Sequence, residues 1–557
     1  MLQHKLTDSR YKILPETMPA DLEAASCCSF LRNEAYSLQL ALRYSGDDFL
    51  PVSVSIDCAL PVTVYKQGFV PVADTCVFRL GAERCERKES GLFPDPLYQK
   101  PSSPKLRNDV CSWSPQGIFS EQDDDETLNL SATATKALLL CVNEDKTVLA
   151  AGSYPMTVKV TSLGDGSVLA EETAELTVIE ALLPLDDELT LYYTDWFHAD
   201  CLCDTYGVTP YSEEFYRIFR SLIRTAVKHS MNTLLLPAFT PPLDTLIGRE
   251  RMNVQLVDVT KDGGWKFGFE RMRRYVREAK ACGIRYFEHC HLFTQWGAQH
   301  APAIYLGGKR IFGWDTDIVK DGYADFLKAY IPAFLRFAKE EGIEEKMVFH
   351  VSDEPSASCE ESYRLAADCV KELLKGHVVA DALSDYVYYE KGLVGTPIVD
   401  FSAAGSFVGN CPHFWLYHTG VPRTIPAIPA VTRAIGVQMY MANAEGFLHW
   451  GVNYYYDRLS VGRFDPVSQP DGYKGIPGVS YLCYPGRDGN TIPSIREKYM
   501  DEAMSDFRAL KLLEKKLGRE KTLALCEESG ITPELKNTPA REALIDLRRK
   551  INTLLIK

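Results

Sequence analysis

Apolar and polar residues alternate with period two through roughly the first 185 positions. Tyr36, Leu38, Leu40 and Leu42 form one such series, Val52, Val54 and Ile56 a second, and Met156, Val158 and Val160 a third. Turn-forming stretches such as Ser45-Gly46-Asp47-Asp48 and Leu163-Gly164-Asp165-Gly166-Ser167 separate them. That period puts one side of a pleated strand into a core, so residues 1–185 are predicted to form an antiparallel β-sandwich. Within it, Glu121-Gln122-Asp123-Asp124-Asp125-Glu126 reads as a solvated acidic loop, and Leu183 to Asp187 reads as a linker.

From Leu189 the pattern changes to strand and helix in turn. Eight apolar runs follow: Leu191 to Phe197, Thr233 to Pro237, Ile284 to Phe293, Lys346 to Val351, Val378 to Leu383, Ile398 to Ser402, Phe414 to His418 and Glu445 to Tyr454. Helical spacing fills most gaps, near 212–230, up to Cys282, over 322–341 and around 428–442, with a hairpin between Val254 and Phe269. Eight strands with mostly helical connections over about 270 residues match one closed (β/α)8 TIM barrel, assigned here to residues 186–492. Residues 493–557 are expected to be a charged helical extension whose stripe of Leu510, Leu512, Leu513 and Leu517 packs. An open doubly wound sheet is the competing architecture. It lacks support because no strand is followed by Gly-x-Gly-x-x-Gly, and no phosphate loop occurs.

The 557 residues carry Lys+Arg 61 against Asp+Glu 75, a net charge of -14. With no basic run, nucleic acid and anionic membranes are poor partners, and a neutral small molecule such as an oligosaccharide fits better. No run is long enough for a membrane span, and residues 1–19 lack the apolar centre of a secretion signal, so the chain is expected to be cytoplasmic. The 16 cysteines show no Cys-x-x-Cys spacing and read as reduced thiols, with no metal and no cofactor required.

In a barrel the reacting groups come from the carboxyl ends of the strands. His350-Val-Ser-Asp353-Glu354-Pro355 puts two adjacent carboxylates there, and the proline is expected to keep Glu354 extended. Ser358-Cys-Glu-Glu361 reads as a capping box for the next helix. Other strand-end candidates for sugar contacts are Trp450, Tyr417, Asp195, Trp196, His291 and Asn453. His289-Cys290-His291 suggests a metal, but alternation would place both histidines on one face with no third ligand, so hydrogen-bonded histidines are expected.

The Ser-Asp-Glu-Pro rim, Gly91-Leu-Phe-Pro-Asp-Pro-Leu97, Trp415-Leu-Tyr417-His, Gly446-Phe-Leu-His-Trp450-Gly, Tyr484-Pro-Gly-Arg-Asp-Gly489 and Pro493-Ser-Ile-Arg496 together resemble glycoside hydrolase family 123 across nearly the whole chain. The resemblance implies a retaining β-N-acetylgalactosaminidase that uses an adjacent Asp-Glu pair and the substrate's own acetamido group. Glu354 would then protonate the leaving oxygen, and Asp353 would orient the acetamido N–H and stabilise its developing charge. Two alternatives remain open at this level. One is a glycosidase of the same fold acting on a plain sugar, with Asp195 or Asp400 as second carboxylate; the other is a non-catalytic carbohydrate-binding protein.

Overall fold

In a computed structural model of the chain, residues 1–25, 28–75, 81–99, 127–418, 420–532 and 538–556 are described. The acidic stretch 121–126 lies outside them. The sequence pattern divides the chain after residues 185 and 492. Contacts group it into two compact units, Met1–Leu189 with Gly420–Met441 and Asp465–Lys557, and Thr190–Thr419 with Ala442–Phe464.

The first unit carries two five-stranded sheets. One has the order Leu2–Asp8, Tyr36–Tyr44, Lys136–Val142, Val62–Val72, Gly91–Tyr98 and is antiparallel throughout. The other has the order Ser29–Leu31, Val168–Ile179, Gly152–Ser162, Leu50–Cys58, Thr127–Leu130. Both sheets feed a single apolar core, with Leu38, Leu40, Leu138 and Leu140 from the first and Val52, Val54, Val158 and Val160 from the second. The period-two positions therefore face this core, because successive side chains leave a strand on opposite faces. One pairing departs from the antiparallel expectation: Ser29–Leu31 runs parallel to Thr177–Ile179. A three-residue edge strand has no alternation to read.

Three of the sequence motifs meet inside this unit. The Arg496 guanidinium donates through Nε to Asp95 Oδ1 and through Nη2 to Asp95 Oδ2, both at 2.8 Å, and neither side chain is exposed. Tyr484 also donates to Asp95, and Leu97 N–H donates to Pro493 O at 2.8 Å. Arg496 Nη1 satisfies the carbonyls of Gly478 and Tyr481, so the buried charge has acceptors on every side. Ser494 and Glu497 form a capping box at the start of helix Ile495–Leu517, whose Leu510 and Leu513 are buried while Leu512 and Leu517 are half-exposed. Helix Pro429–Ala442 comes so close to that helix that a Cβ on Gly436 would stand 1.8 Å from Ala503 O.

The second unit holds eight parallel strands, numbered here β1 (Tyr192–Asp195), β2 (Thr233–Leu236), β3 (Tyr286–His289), β4 (Met347–Phe349), β5 (Val378–Ala382), β6 (Thr396–Asp400), β7 (Trp415–Tyr417) and β8 (Gly446–His449). Their order is β1-β8-β7-β6-β5-β4-β3-β2, each hydrogen-bonded to the next. The gap between β2 and β1 is bridged by Asn232, whose N–H donates to Tyr193 O at 3.1 Å and whose Oδ1 accepts from Tyr193 N–H at 2.8 Å. The sheet is a nearly closed parallel barrel. On β8, a side chain at Gly446 would collide with the Trp415 indole of β7 at 2.6 Å, which explains the small residue in that motif.

Helices Glu213–Lys228, Glu270–Ala281 and Tyr323–Glu340 and the hairpin Asp258–Lys261/Trp265–Gly268 lie where spacing predicts them. The crossover from β5 to β6 is reduced to one turn, Val387–Glu390, and that from β6 to β7 to the 3-10 segment Phe401–Ser406. No helix among the described residues is long and apolar enough to cross a membrane.

Candidate active site

Backbone bonding between β3 and β4 continues past the regular strands. Leu292 N–H donates to His350 O at 3.0 Å, Phe293 N–H to Val351 O at 2.9 Å, and Trp296 N–H to Asp353 O at 2.8 Å. On the other side Glu354 N–H donates to Ala382 O, the end of β5, at 2.9 Å. Asp353 and Glu354 are thus fixed between two neighbouring strand ends. Glu354 is not extended as the following proline suggests. Its φ is +43°, in the left-handed region that costs a non-glycine residue about 1 kcal/mol or more. Tyr417, at the end of β7, donates its hydroxyl hydrogen to Glu354 Oε1 at 2.9 Å.

Asp353 is half-buried. Desolvation first, and then the nearby carboxylates of Glu354, Asp381 and Asp244, push its carboxyl well above the usual carboxylate range. Asp381, on β5, accepts from the N–H groups of Val351 (2.8 Å) and Ser352 (3.3 Å) through Oδ1, and from the Tyr363 hydroxyl through Oδ2. It fixes the two residues that precede the acid pair. Burial drives its carboxyl up to about 7.

Glu288 on β3 escaped the sequence reading. It is fully buried and accepts from Thr194 Oγ1 at 2.5 Å, Trp196 Nε1 at 3.2 Å and His350 Nε2 at 3.0 Å. Strands β1 and β3 are not neighbours, so the Thr194 contact crosses the barrel interior. The partners of His350, Glu288 Oε1 and Ala380 O, are both acceptors, which requires a proton on each ring nitrogen. In keeping with that, Glu288 and Asp381 raise the His350 pKa against the opposing pull of desolvation. His350 thus lies beneath the rim between Glu288 and Asp381.

His291 lies beside this network, stacked on His350 with centroids 4.7 Å apart and edge-on to Trp196 at 5.2 Å. It is fully buried, yet neither ring nitrogen has a hydrogen-bond partner among the described residues. Burial holds it neutral, well below the ordinary histidine pKa. The expectation of a hydrogen-bonded histidine thus fails for His291 and holds for His289, which pairs with Cys290 O at 2.6 Å and the Tyr330 hydroxyl at 2.8 Å. Nor do the two share a face: His289 packs against Phe334 and Phe349, because strand alternation ends with β3 at residue 289. Among the described residues no group of three His, Cys, Asp or Glu side chains is arranged to hold a metal ion.

The other predicted residues divide. Trp450 is half-buried, stacked on His449 at 5.7 Å, and its carbonyl accepts from His198 Nε2 at 2.8 Å. Asp195 is buried, 3.9 Å from His449 Nδ1. Trp196 is buried with its indole N–H committed to Glu288, leaving only its faces and edge for other contacts. Asn453 does not present its amide at the rim: Oδ1 accepts from His198 N–H at 2.8 Å and Nδ2 donates to His198 O at 3.0 Å. It clamps the chain after β8 to the chain after β1. Asp400 is likewise occupied, capping the next segment through Ser402 N–H at 2.9 Å. Ser358 caps nothing, since the helix Glu360–Val370 follows a 3-10 turn, Ala357–Cys359.

The chain matches the family glycoside hydrolase 123, catalytic domain, over residues 196–513. Its structure is similar to that of a family 123 glycoside hydrolase from Clostridium perfringens, solved in a study of glycolipid glycan hydrolysis, with a TM-score of 0.71 and 11% identity over 100% of this chain and 98% of that one. At that identity the likeness speaks for the fold. A family 39 glycoside hydrolase from Bacteroides cellulosilyticus WH2 aligns with a TM-score of 0.30 at 10% identity, over 69% of this chain and 75% of that one. A β-glucuronidase from Bacteroides uniformis aligns with a TM-score of 0.31 at 10% identity, over 85% and 49%. Neither alignment carries weight at such scores. No protein of curated function matches the sequence. The chain belongs to glycoside hydrolase family 123.

Proposed function

We propose that this glycoside hydrolase is a retaining exo-enzyme that removes terminal β-linked N-acetylgalactosamine, with the substrate's acetamido oxygen as nucleophile. The observation that carries the reading is the anchored pair Asp353–Glu354: adjacent acids after β4, one with its carboxyl pKa raised by burial, the other held by Tyr417 on a strained backbone. An ordinary retaining site places its two carboxyl groups about 5 Å apart across the sugar, one of them as nucleophile. Neighbours in one turn suit a different division of labour.

In that division the acetamido oxygen attacks the anomeric carbon as the bond to the leaving oxygen breaks, and Glu354 gives that oxygen its proton. The product is an oxazolinium ion. Water then adds at the anomeric carbon, Glu354 takes a proton back, and the acetamide is regenerated with the β configuration. Tyr417 donates to Glu354 Oε1, and the transferable proton is assigned to Oε2. Ionising Asp353 is unfavourable because of its burial and the acids beside it. An acetamido N–H beside it favours the ionised form, which moves the pair's shared proton toward Glu354, and the charge developing on the acetamide strengthens that contact in the transition state. Neutral His291 is fully buried against His350 and Trp196, so it acts through those rings rather than by touching the sugar. Trp450 and Asp195 complete the proposed sugar contacts.

The test is the dependence on leaving group. Glu354→Gln should lower kcat at least a hundredfold on glycosides with alkyl or sugar leaving groups and far less on aryl glycosides, whose leaving oxygen needs no proton. Equal losses on both would remove the acid assignment.

A further inference from the structure

Trp296 stands opposite Asp353 in the extended β3–β4 ladder, its N–H on the Asp353 carbonyl at 2.8 Å. Parallel chains so bonded run about 4.8 Å apart, so the Trp296 side chain starts one strand spacing from the acid pair. The residue is 42% exposed, and among the described residues its indole makes no ring contact and no hydrogen bond. Its backbone is left-handed, with φ +59°, and Ala298 two residues on has φ +56°. The segment is held in that shape from several sides: Thr294 N–H donates to His300 O at 2.9 Å, Thr294 O accepts from Ser352 Oγ at 2.8 Å, and Gln295 Oε1 accepts from Asp244 N–H at 2.5 Å. Folding gains nothing from keeping a large apolar ring in water on strained backbone.

We infer that Trp296 is the platform for the leaving half of the substrate, an aglycone that begins with a neutral hexose. The inference rests on the reading of Asp353 and Glu354 as the cleaving pair, because the aglycone must lie beside the residue that protonates it. The apolar C–H face of a pyranose stacks on an indole. The charged groups acting on Asp353 are themselves acids, Glu354, Asp381 and Asp244, so an anionic sugar beside the pair meets acidic neighbours. Trp296 is thus a specificity residue for glycan substrates, and one that small activated glycosides do not engage.

The experiment compares Trp296→Ala and Trp296→Phe with wild type on the β1,3- and β1,4-linked disaccharides of N-acetylgalactosamine with galactose, and on β-N-acetylgalactosaminyl fluoride, whose leaving group is one atom. The expected result is a loss in kcat/KM on the disaccharides at least tenfold larger than on the fluoride for the Ala variant, with partial recovery in the Phe variant. Equal losses on both substrates, or none on the disaccharides, would overturn the platform. If wild type cleaves no acetamido glycoside, the functional reading falls separately. The platform is then judged by titrating lactose into wild type and Trp296→Ala: tenfold weaker binding to the variant upholds it, and equal binding overturns it.

Discussion

Tyr417 and Glu354, on opposite flanks of β5 and β6, are joined by a hydrogen bond of 2.9 Å from the tyrosine hydroxyl to Glu354 Oε1. It ties the end of β7 to the turn after β4 and engages one of the two carboxyl oxygens. Burial raises the Tyr417 pKa, so it remains a donor at every pH of interest. Tyr417→Phe removes the bond and leaves the ring. A kcat reduced about tenfold with little change in thermal stability is expected, in line with the loss of one hydrogen bond. Unchanged steady-state turnover would show that Glu354 needs no such anchor.

The left-handed backbone at Glu354 gives a stability comparison that is independent of the side chain's chemistry. Glu354→Ala and Glu354→Gly both delete the carboxylate and the Tyr417 bond, and differ only in whether φ +43° is strained. Denaturant titration should find the Gly variant more stable than the Ala variant by about 1 kcal/mol, whereas at ordinary helical or strand positions the order is reversed. An Ala variant at least as stable as the Gly variant would mean that the turn relaxes and stores no strain.

Asp381 links pH to stability. Its carboxyl is held near 7 in the folded protein by burial, against 3.8 ordinarily, so between these values the native state binds the proton and the unfolded chain does not. Stability contributed by this residue is therefore lost as pH rises from about 4 to about 7, because proton release favours the unfolded state. Asp381→Asn should flatten that decline in a series of thermal melts. An unchanged slope would show that the proton is not held there.

In the first unit the fully buried Asp95–Arg496 pair joins the strand Gly91–Tyr98 to the helix Ile495–Leu517. Arg496→Met strands a buried carboxylate and is expected to cost about 3–5 kcal/mol, with part of the loss recovered by adding Asp95→Asn. Additive losses in the double variant, read from chemical denaturation, would contradict a direct pairing.

Much of this was legible in the sequence, and the exceptions have physical reasons. The eight barrel strands stand out because parallel strands covered on both faces are continuous apolar runs. Asp353 and Glu354 stand out because two carboxylates end such a run. Glu288 does not: one glutamate in Tyr-Phe-Glu-His looks solvated, and its burial depends on Thr194 and His350, 94 and 62 positions away. Asn453 looks like a sugar ligand until its partner, the His198 backbone 255 positions earlier, is seen. Pro355 restricts Glu354, but the tertiary bonds to Ala382 and Tyr417 overrule the extended preference. The motifs at Gly91, Tyr484 and Pro493 were legible as family marks, while their role, closing around the buried Asp95, required the fold.

The central claim is that the acid pair works together with an amide on the sugar. The most direct measurement sets p-nitrophenyl 2-acetamido-2-deoxy-β-galactoside against p-nitrophenyl β-galactoside, for wild type and Asp353→Asn. Turnover of the acetamido sugar alone, lost by at least a hundredfold in the variant, is the expected result. Comparable turnover of the plain galactoside by wild type would contradict it, since that substrate carries no nucleophile of its own.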